Sequence, residues 1–414
     1  MRYCLKLKTV LLSLLLCGTV YRAAAAAGDS LQVSLLTCAP GEQSFELFGH
    51  SGIRVKNRAD GSDMVFHYGV FSFNAPHFIY RFTKGETDYS IGVAGFPDFV
   101  HSYTARHSGV TEQVLNMTAG EKEALLEALL LNYRPENRVY RYNFLTDNCA
   151  TRPLRMIAQS IDGEIAYSVP KQGRTTYREM IHRCTAGHDW LTFGIDLALG
   201  APLDTVIACR DEMFLPAVLM QAFDRAAVVP QAADSVSVAG ERLLVADRYV
   251  YEPLTPWSGE GSVPLTGPAA CGWYLLAVVA ALSVWEWRKN TRFRWLDTVL
   301  FALYGLTGCV LFFLVFVSEH PATSPNWSLV WANPLHLLVA VWVWVKYLKR
   351  VVNYYHFVNF VVLLLFLVSW PWLPQRLNTA FIPYILVLVM RSVTAAGAYC
   401  RDRKKNVCRK GREL

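Results

Sequence analysis

No two cysteines of this 414-residue chain stand at CxxC spacing, and none of its ten histidines falls in an HExxH arrangement. Those absences argue against a structural zinc or a zinc-hydrolase helix; no metal and no cofactor is expected. Charge is also scarce, with Asp, Glu, Lys and Arg making up 18% of the chain against 53% apolar residues. So apolar a chain of this length exceeds what one soluble core needs, and predicts a soluble domain joined to membrane spans. The net charge of +7 implies no nucleic-acid partner. The basic residues that gather beside the C-terminal apolar runs (Arg288, Lys289, Arg292, Arg294, Lys346, Lys349, Arg350, and several from Arg401 onward) outnumber it. They suit anionic lipid headgroups and leave the rest of the chain near neutral or acidic.

Residues 1–26 have a basic start (Arg2, Lys6, Lys8), an apolar core and a run of alanines, the pattern of a secretory signal peptide cleaved near Ala26. Reading LLLC as a lipobox ending at Cys17 is a competing interpretation. Residues 27–268 read as one exported α+β domain, closed by a Gly/Ser/Pro-rich linker over 258–268. A transmembrane domain of five helices is expected over 269–400, with spans near 269–285, 296–317, 331–345, 352–370 and 381–398, followed by a basic tail over 401–414. The basic residues lie between spans one and two, between three and four, and in the tail, while the two opposite loops hold only Arg376. The positive-inside rule therefore places the tail in the cytoplasm and the large domain outside. Arg391, ten residues into the last span, is expected to snorkel towards the cytoplasm.

Within the exported domain, residues 31–36 alternate as a strand, and runs at 52–56 and 64–73 flank hairpin punctuation (Asn57, Arg58, Asp60, Gly61). Residues 82–91 read as a strand pair around Lys84 and Gly85. Thr118 followed by Glu121 is a capping box for a helix over 119–132. Further helices are expected over 190–199 and 213–225. Cys184 and Cys209 could pair, since an exported compartment permits disulfides; Cys38 would then be left over.

Two stretches carry chemistry. FGHSGIRV centres on His50 among small residues, and YNFLTDNCATRP leads to Cys149 at the start of a helix over 150–161 in which Pro153 falls within the first turn. A helix N-terminus favours a thiolate and offers backbone N–H groups to a developing oxyanion. Thiol plus imidazole is the equipment of acyl transfer through a thioester. The hairpin would bring His67 near His50, making His67 the first candidate to orient that base, with Asn74 as a competitor. Tyr142, Asn143, Asn148 and Arg152 are near enough in sequence to line a substrate pocket.

A histidine at the head of a strand followed much later by Asn-Cys at a helix start resembles the circularly permuted branch of the papain-like NlpC/P60 superfamily. More closely, FGHSGIRV, YGVFSF, FTKGETDYSI, YNFLTDNCATRP, FGIDLALG, MFLP, SEHPATSPNW and WANPLHL together resemble the Lnb-type lipoprotein N-acyltransferases of Bacteroidota. The resemblance implies a circularly permuted papain-like exported domain on an all-α membrane region in the inner membrane. It also implies a phospholipid acyl donor and a diacylated lipoprotein acceptor. Members more often carry Asn where this chain has His67. Glu319 and His320, in a loop on the same side as the exported domain, are candidates to touch a lipid headgroup or support the site. Two other classes stay open: a cysteine peptidase or amidase acting on cell-wall peptides, and a non-catalytic membrane interaction protein.

Overall fold

The computed structural model describes residues 30–72, 74, 76–167, 175–230, 242–254 and 266–410. The signal-peptide reading, with its Cys17 alternative, lies outside them, as do most of the linker and the side chains from Asp402 onward. The described chain divides into two units, one formed by residues 1–78, 87–175 and 207–259, the other by 79–86, 176–206 and 260–414.

In the first unit, β1 (Leu31–Cys38) is the strand on which the sheet is built. It pairs on one side with β2 (His50–Asn57) and on the other with β5 (Val110–Leu115). The turn after β2 is the expected hairpin: Asn57 Oδ1 accepts the Ala59 N–H at 2.9 Å and Gly61 takes a φ of +77°. It delivers β3 (Asp63–Val70), and β4 (Asp88–Gly95), β6 (Val139–Arg141) and β8 (Val245–Tyr251) complete a seven-stranded sheet ordered β8-β5-β1-β2-β3-β4-β6, antiparallel throughout. Both faces are covered. Val33, Leu35, Ile53 and Tyr68 pack with Leu125 and Leu129 of α3 (Ala119–Tyr133) and Leu154 and Ile157 of α4 (Thr151–Ser160). Leu36 and Val65 pack with Phe96 and Phe99 of α2 (Phe96–Thr104). The capping box on α3 forms as read, with Thr118 and Glu121 exchanging both bonds.

The structure departs from two of the expected elements. Residues 82–91 are not a strand pair: α1 (Phe78–Lys84) ends at Gly85, whose φ of +87° is open only to glycine without strain, and β4 follows. The aromatic-rich FIYRFTK carries strand-like composition, and its segment 79–86 belongs to the second unit, where Glu319 donates its N–H to Lys84 O at 2.7 Å. The helix over 213–225 is broken by Pro216, giving a short 3₁₀ turn at Asp211–Phe214 before α7 (Pro216–Asp224). It is preceded in the chain by β7 (Glu164–Ala166), α5 (Tyr177–Cys184) and α6 (Asp189–Ala198). Cys184 and Cys209 are both free thiols.

Among its described residues the second unit has four helices long and apolar enough to cross a membrane, α8 (Pro268–Lys289), α9 (Arg294–Phe316), α11 (Lys349–Ser369) and α12 (Phe381–Lys410). Where a fifth span was expected over 331–345, the only α-helix is α10 (His336–Trp342), seven residues long. At 1.5 Å per residue it rises roughly 10 Å, far short of a hydrocarbon core of about 30 Å. Apolar composition continues through the segment, but Asn333 caps the Leu335 N–H at 3.2 Å and the helix gives way after Trp342. Non-helical backbone at membrane depth must be buried in protein, and α9 provides the surface. A Cβ added to Gly308 would sit 2.7 Å from Pro334 N, ahead of α10, and one added to Gly305 2.6 Å from Leu337 N within it, the close approach that small residues allow between membrane helices. Gly305→Ala is therefore expected to destabilise the detergent-solubilised protein by about 1–3 kcal/mol. Gly397→Ala, where nothing lies within 4 Å, should leave the thermal midpoint unchanged.

Arg391 does not snorkel. It is fully buried, with Nε 2.8 Å from Asp297 Oδ1 and Nη1 2.5 Å from Glu286 Oε2 and 2.9 Å from Ser283 Oγ. Carboxylates on α8 and α9 supply its counter-charge inside the bundle, so the side chain has no need to reach the surface.

Candidate active site

At the head of β2, Gly49 takes a φ of +73°, and a Cβ there would lie 2.7 Å from Cys38 O. Only glycine fits that turn, and it sets His50 as the first residue of β2, opposite Cys38 on β1. The β2–β3 register puts His67 opposite Gly52. From there His67 Nδ1 reaches to 3.3 Å of His50 Nε2. The expected orienter is thus in hydrogen-bonding range of the base, whereas Asn74 is exposed and uses its N–H on Ser72 Oγ at 3.2 Å.

The β2–β3 ladder ends at that pair, and β3 bulges at Gly69, φ +89°. Ser51, one step beyond, directs its backbone N–H at the Cys149 sulfur, and the Cys149 N–H does the same. A Cβ on Gly69 would lie 3.9 Å from Cys149 Cβ and 3.3 Å from the Tyr142 ring. Thiol, Ser51 backbone and Tyr142 therefore share one recess, with His50 adjacent to Ser51 in the chain.

The loop that delivers Cys149 is held by the residues read as pocket contacts. Asn143 closes a turn with Asp147 through backbone bonds of 3.1 and 2.9 Å, and its Oδ1 accepts the Leu145 N–H at 3.0 Å. Arg152 forks onto Asp147 with two bonds of 2.8 Å and lies 3.5 Å over the Tyr140 ring. Buried Asn148 donates from Nδ2 to Phe144 O at 2.6 Å and Phe214 O at 2.9 Å, while its Oδ1 accepts the N–H groups of Ala150 and Thr151 at 2.8 and 2.9 Å. This corrects the picture of a bare helix end. Asn148 acts as the helix cap, so the donors left at the sulfur are the N–H groups of Ser51 and Cys149. Of the four residues, Tyr142 is the one whose ring lines the recess with Cys149. Glu319 and His320 belong to the second unit, where the His320 ring bonds Phe82 O at 2.7 Å and the two residues hold α1.

Residues the sequence did not point to complete the surroundings. Tyr103 on α2 stacks on His50 with ring centres 5.9 Å apart and planes 13° apart, and Arg106 lies 4.1 Å over Tyr103 while pairing with Glu46 at 2.6 Å. Phe99 packs edge-on against His67 at 5.5 Å. The sequence signal here is the helical spacing of Phe99 and Tyr103 on α2; Arg106 follows the helix and carries none.

Burial governs the protonation states. It pushes the Cys149 thiol from an ordinary 9.0 up to about 11, outweighing the two backbone donors. Burial, then His67 and Arg106, lower His50 from 6.5 to about 3, and burial lowers His67 to about 4. The helix start does not create a resting thiolate here; the site rests as neutral thiol and neutral imidazole, and the proton must move during reaction. At pH 7, well below both thiol values, ionisation falls tenfold for each unit the pKa rises. Iodoacetamide labelling of the Cys149 peptide should then run roughly a hundredfold slower in the folded protein than in urea. The rate should keep climbing with pH beyond 9, where the unfolded chain levels off. A plateau at neutral pH would instead reveal a preformed thiolate–imidazolium pair.

An α/β unit in which the Ser51 N–H meets the Cys149 sulfur one residue from His50, in a chain with four membrane-length helices among its described residues, defines a membrane protein with a candidate cysteine–histidine centre. Residues 20–183 match the family model of the Lnb N-terminal periplasmic domain, and residues 260–402 that of the Lnb transmembrane domain. The chain belongs to the Lnb family, a membrane protein with a periplasmic N-terminal part. No curated protein and no solved structure matches it.

Proposed function

We propose that this protein is a lipoprotein N-acyltransferase that carries an acyl chain on Cys149. Family membership supports a role in lipoprotein processing at the membrane, and the apolar helices support a lipid donor. The observation that carries the chemistry is the recess at the head of β2, where the Ser51 N–H meets the Cys149 sulfur and His50 is held through His67.

In the first half-reaction His50 takes the thiol proton as sulfur attacks an ester carbonyl of a phospholipid. The tetrahedral intermediate collapses as the same proton passes to the departing lysophospholipid oxygen, leaving a thioester on Cys149. In the second, the α-amine at the N-terminus of a diacylglyceryl-cysteine lipoprotein attacks the thioester. The amide forms, His50 receives the amine proton, and sulfur leaves to recover it. The N–H groups of Ser51 and Cys149 are the donors available to the oxyanion in both halves. His67 acts as a positioning residue for His50. A strand histidine preceding a helix-start cysteine fits the permuted papain-like order, and we place this centre on the periplasmic side of the inner membrane with the C-terminus in the cytoplasm, the chain recrossing through residues 331–348 as a fifth crossing of which only α10 is α-helical.

Intact mass spectrometry of the full chain purified with its native lipid tests the reading. An acyl adduct mapping to Cys149 and released by hydroxylamine is expected. A free thiol in the presence of phospholipid would overturn it and favour a peptidase or amidase acting on cell-wall peptides.

A further inference from the structure

The second unit contains a cavity that the acyl-transfer chemistry does not use. It lies at the end of the bundle where α8 stops, α9 and α11 begin and α12 passes at residues 395–401, with a volume of about 200 Å³. Among its lining residues are Arg292, Arg294, Lys349, Asn353, His356 and Arg401, and no lining residue is acidic. Roughly 10–15 Å³ of such space holds one water, so the cavity accommodates a polyatomic group.

Its walls carry an unusual number of buried polar atoms without hydrogen bonds. They are Arg292 Nε and Nη2, Asn353 Oδ1, both ring nitrogens of His356 and Arg401 Nε. His356 is fully buried, touching Phe301 and Tyr355 only through ring contacts. Orphaned buried donors and acceptors carry a desolvation cost that native proteins avoid unless a ligand, ion or water answers them. Glu286 accepts the Phe293 N–H and pairs with Arg391, and the acidic group that meets a lining cation is Asp297. Its Oδ1 is engaged by Arg391, and its Oδ2, also without a hydrogen bond, stands 3.5 Å from Arg292 Nη2. Arg292 is therefore only partly compensated, and Arg294 and Lys349 have no ion pair among the described residues.

We propose that this cavity is a binding site for a phosphate-bearing anion. Guanidinium forks, an ammonium and an imidazole match the several acceptor oxygens of a phosphate, and a basic pocket between helix ends lies where an anionic headgroup would be presented. The phosphate could arrive on an anionic phospholipid or free in solution. The site is separate from the proposed acyl transfer, so either idea can fail alone.

The test uses the full chain in mild detergent. Native mass spectrometry follows retention of added phosphatidylglycerol against phosphatidylethanolamine, and thermal unfolding is recorded with inorganic phosphate against chloride at equal ionic strength. The double variant R294Q/K349Q removes two cations outside the Arg391 network, with K349Q alone, at an exposed position, as the second variant should the double fail to fold. Retention of phosphatidylglycerol by the wild type, falling at least about tenfold in the variant with phosphatidylethanolamine unchanged, supports a lipid source. Stabilisation of the wild type but not the variant by inorganic phosphate alone supports a soluble source. No response to either probe, or responses identical in wild type and variants, overturns the proposal and leaves the cavity to water.

Discussion

Cys149→Ser in the full-length protein is expected to lower acyl transfer by at least about a thousandfold and to abolish the hydroxylamine-labile adduct. A serine hydroxyl in the same recess is a far weaker nucleophile, and His50 alone cannot make up the difference. His50→Ala should cost on the order of 10²–10⁴-fold, the range for a lost general base. Removing both should cost little more than removing either, because residues that act as one unit do not contribute additively. Purified protein, a fluorescent phospholipid donor and a diacylated lipopeptide acceptor provide the readout. Ordinary folding of both variants with normal turnover would remove Cys149 from the mechanism.

Arg391→Leu is expected to produce the largest loss of stability in the membrane unit, about 3–5 kcal/mol, the cost of leaving buried carboxylates without their cation. Glu286 and Asp297 are each only 1% exposed, as against 0% for Arg391, so neither carboxylate can turn to water. The triple variant E286Q/D297N/R391L should regain most of the loss, because removing a whole buried charge cluster is far less costly than breaking it. Unfolding titrations in mixed micelles would measure both. A single-variant loss below about 1 kcal/mol would mean that the cluster is hydrated.

The candidate centre was largely legible because its signals are local. Glycine and serine around His50, a polar approach to Cys149 and a hairpin spacing that pairs Gly52 with His67 all lie within short stretches. Asn148 carried a local signal as well: an asparagine just before a helix start is a cap by propensity, a better account of it than substrate contact. Tyr103 and Arg106 were not legible, since they reach His50 only through the packing of α2 on the sheet. The partners of Arg391 lie about a hundred residues earlier, in other helices, beyond any periodicity argument. Hydropathy likewise registers apolar length but not helix breaks, so residues 331–345 read as a span although the backbone is helical over only seven of them.

The interleaving of the two units sets an order of events during synthesis. Residues 79–86 and 176–206 are made before the membrane helices with which they are grouped, and on export they wait for helices still inside the ribosome. Over that interval α1 displays Ile79, Tyr80 and Phe82, which remain substantially exposed even in the finished fold. A chain ended at residue 259 would stay in that waiting state, with sticky segments and no partners, and would be prone to aggregate. For this protein, cutting away the membrane part is expected to leave an unfinished chain and not a smaller soluble enzyme.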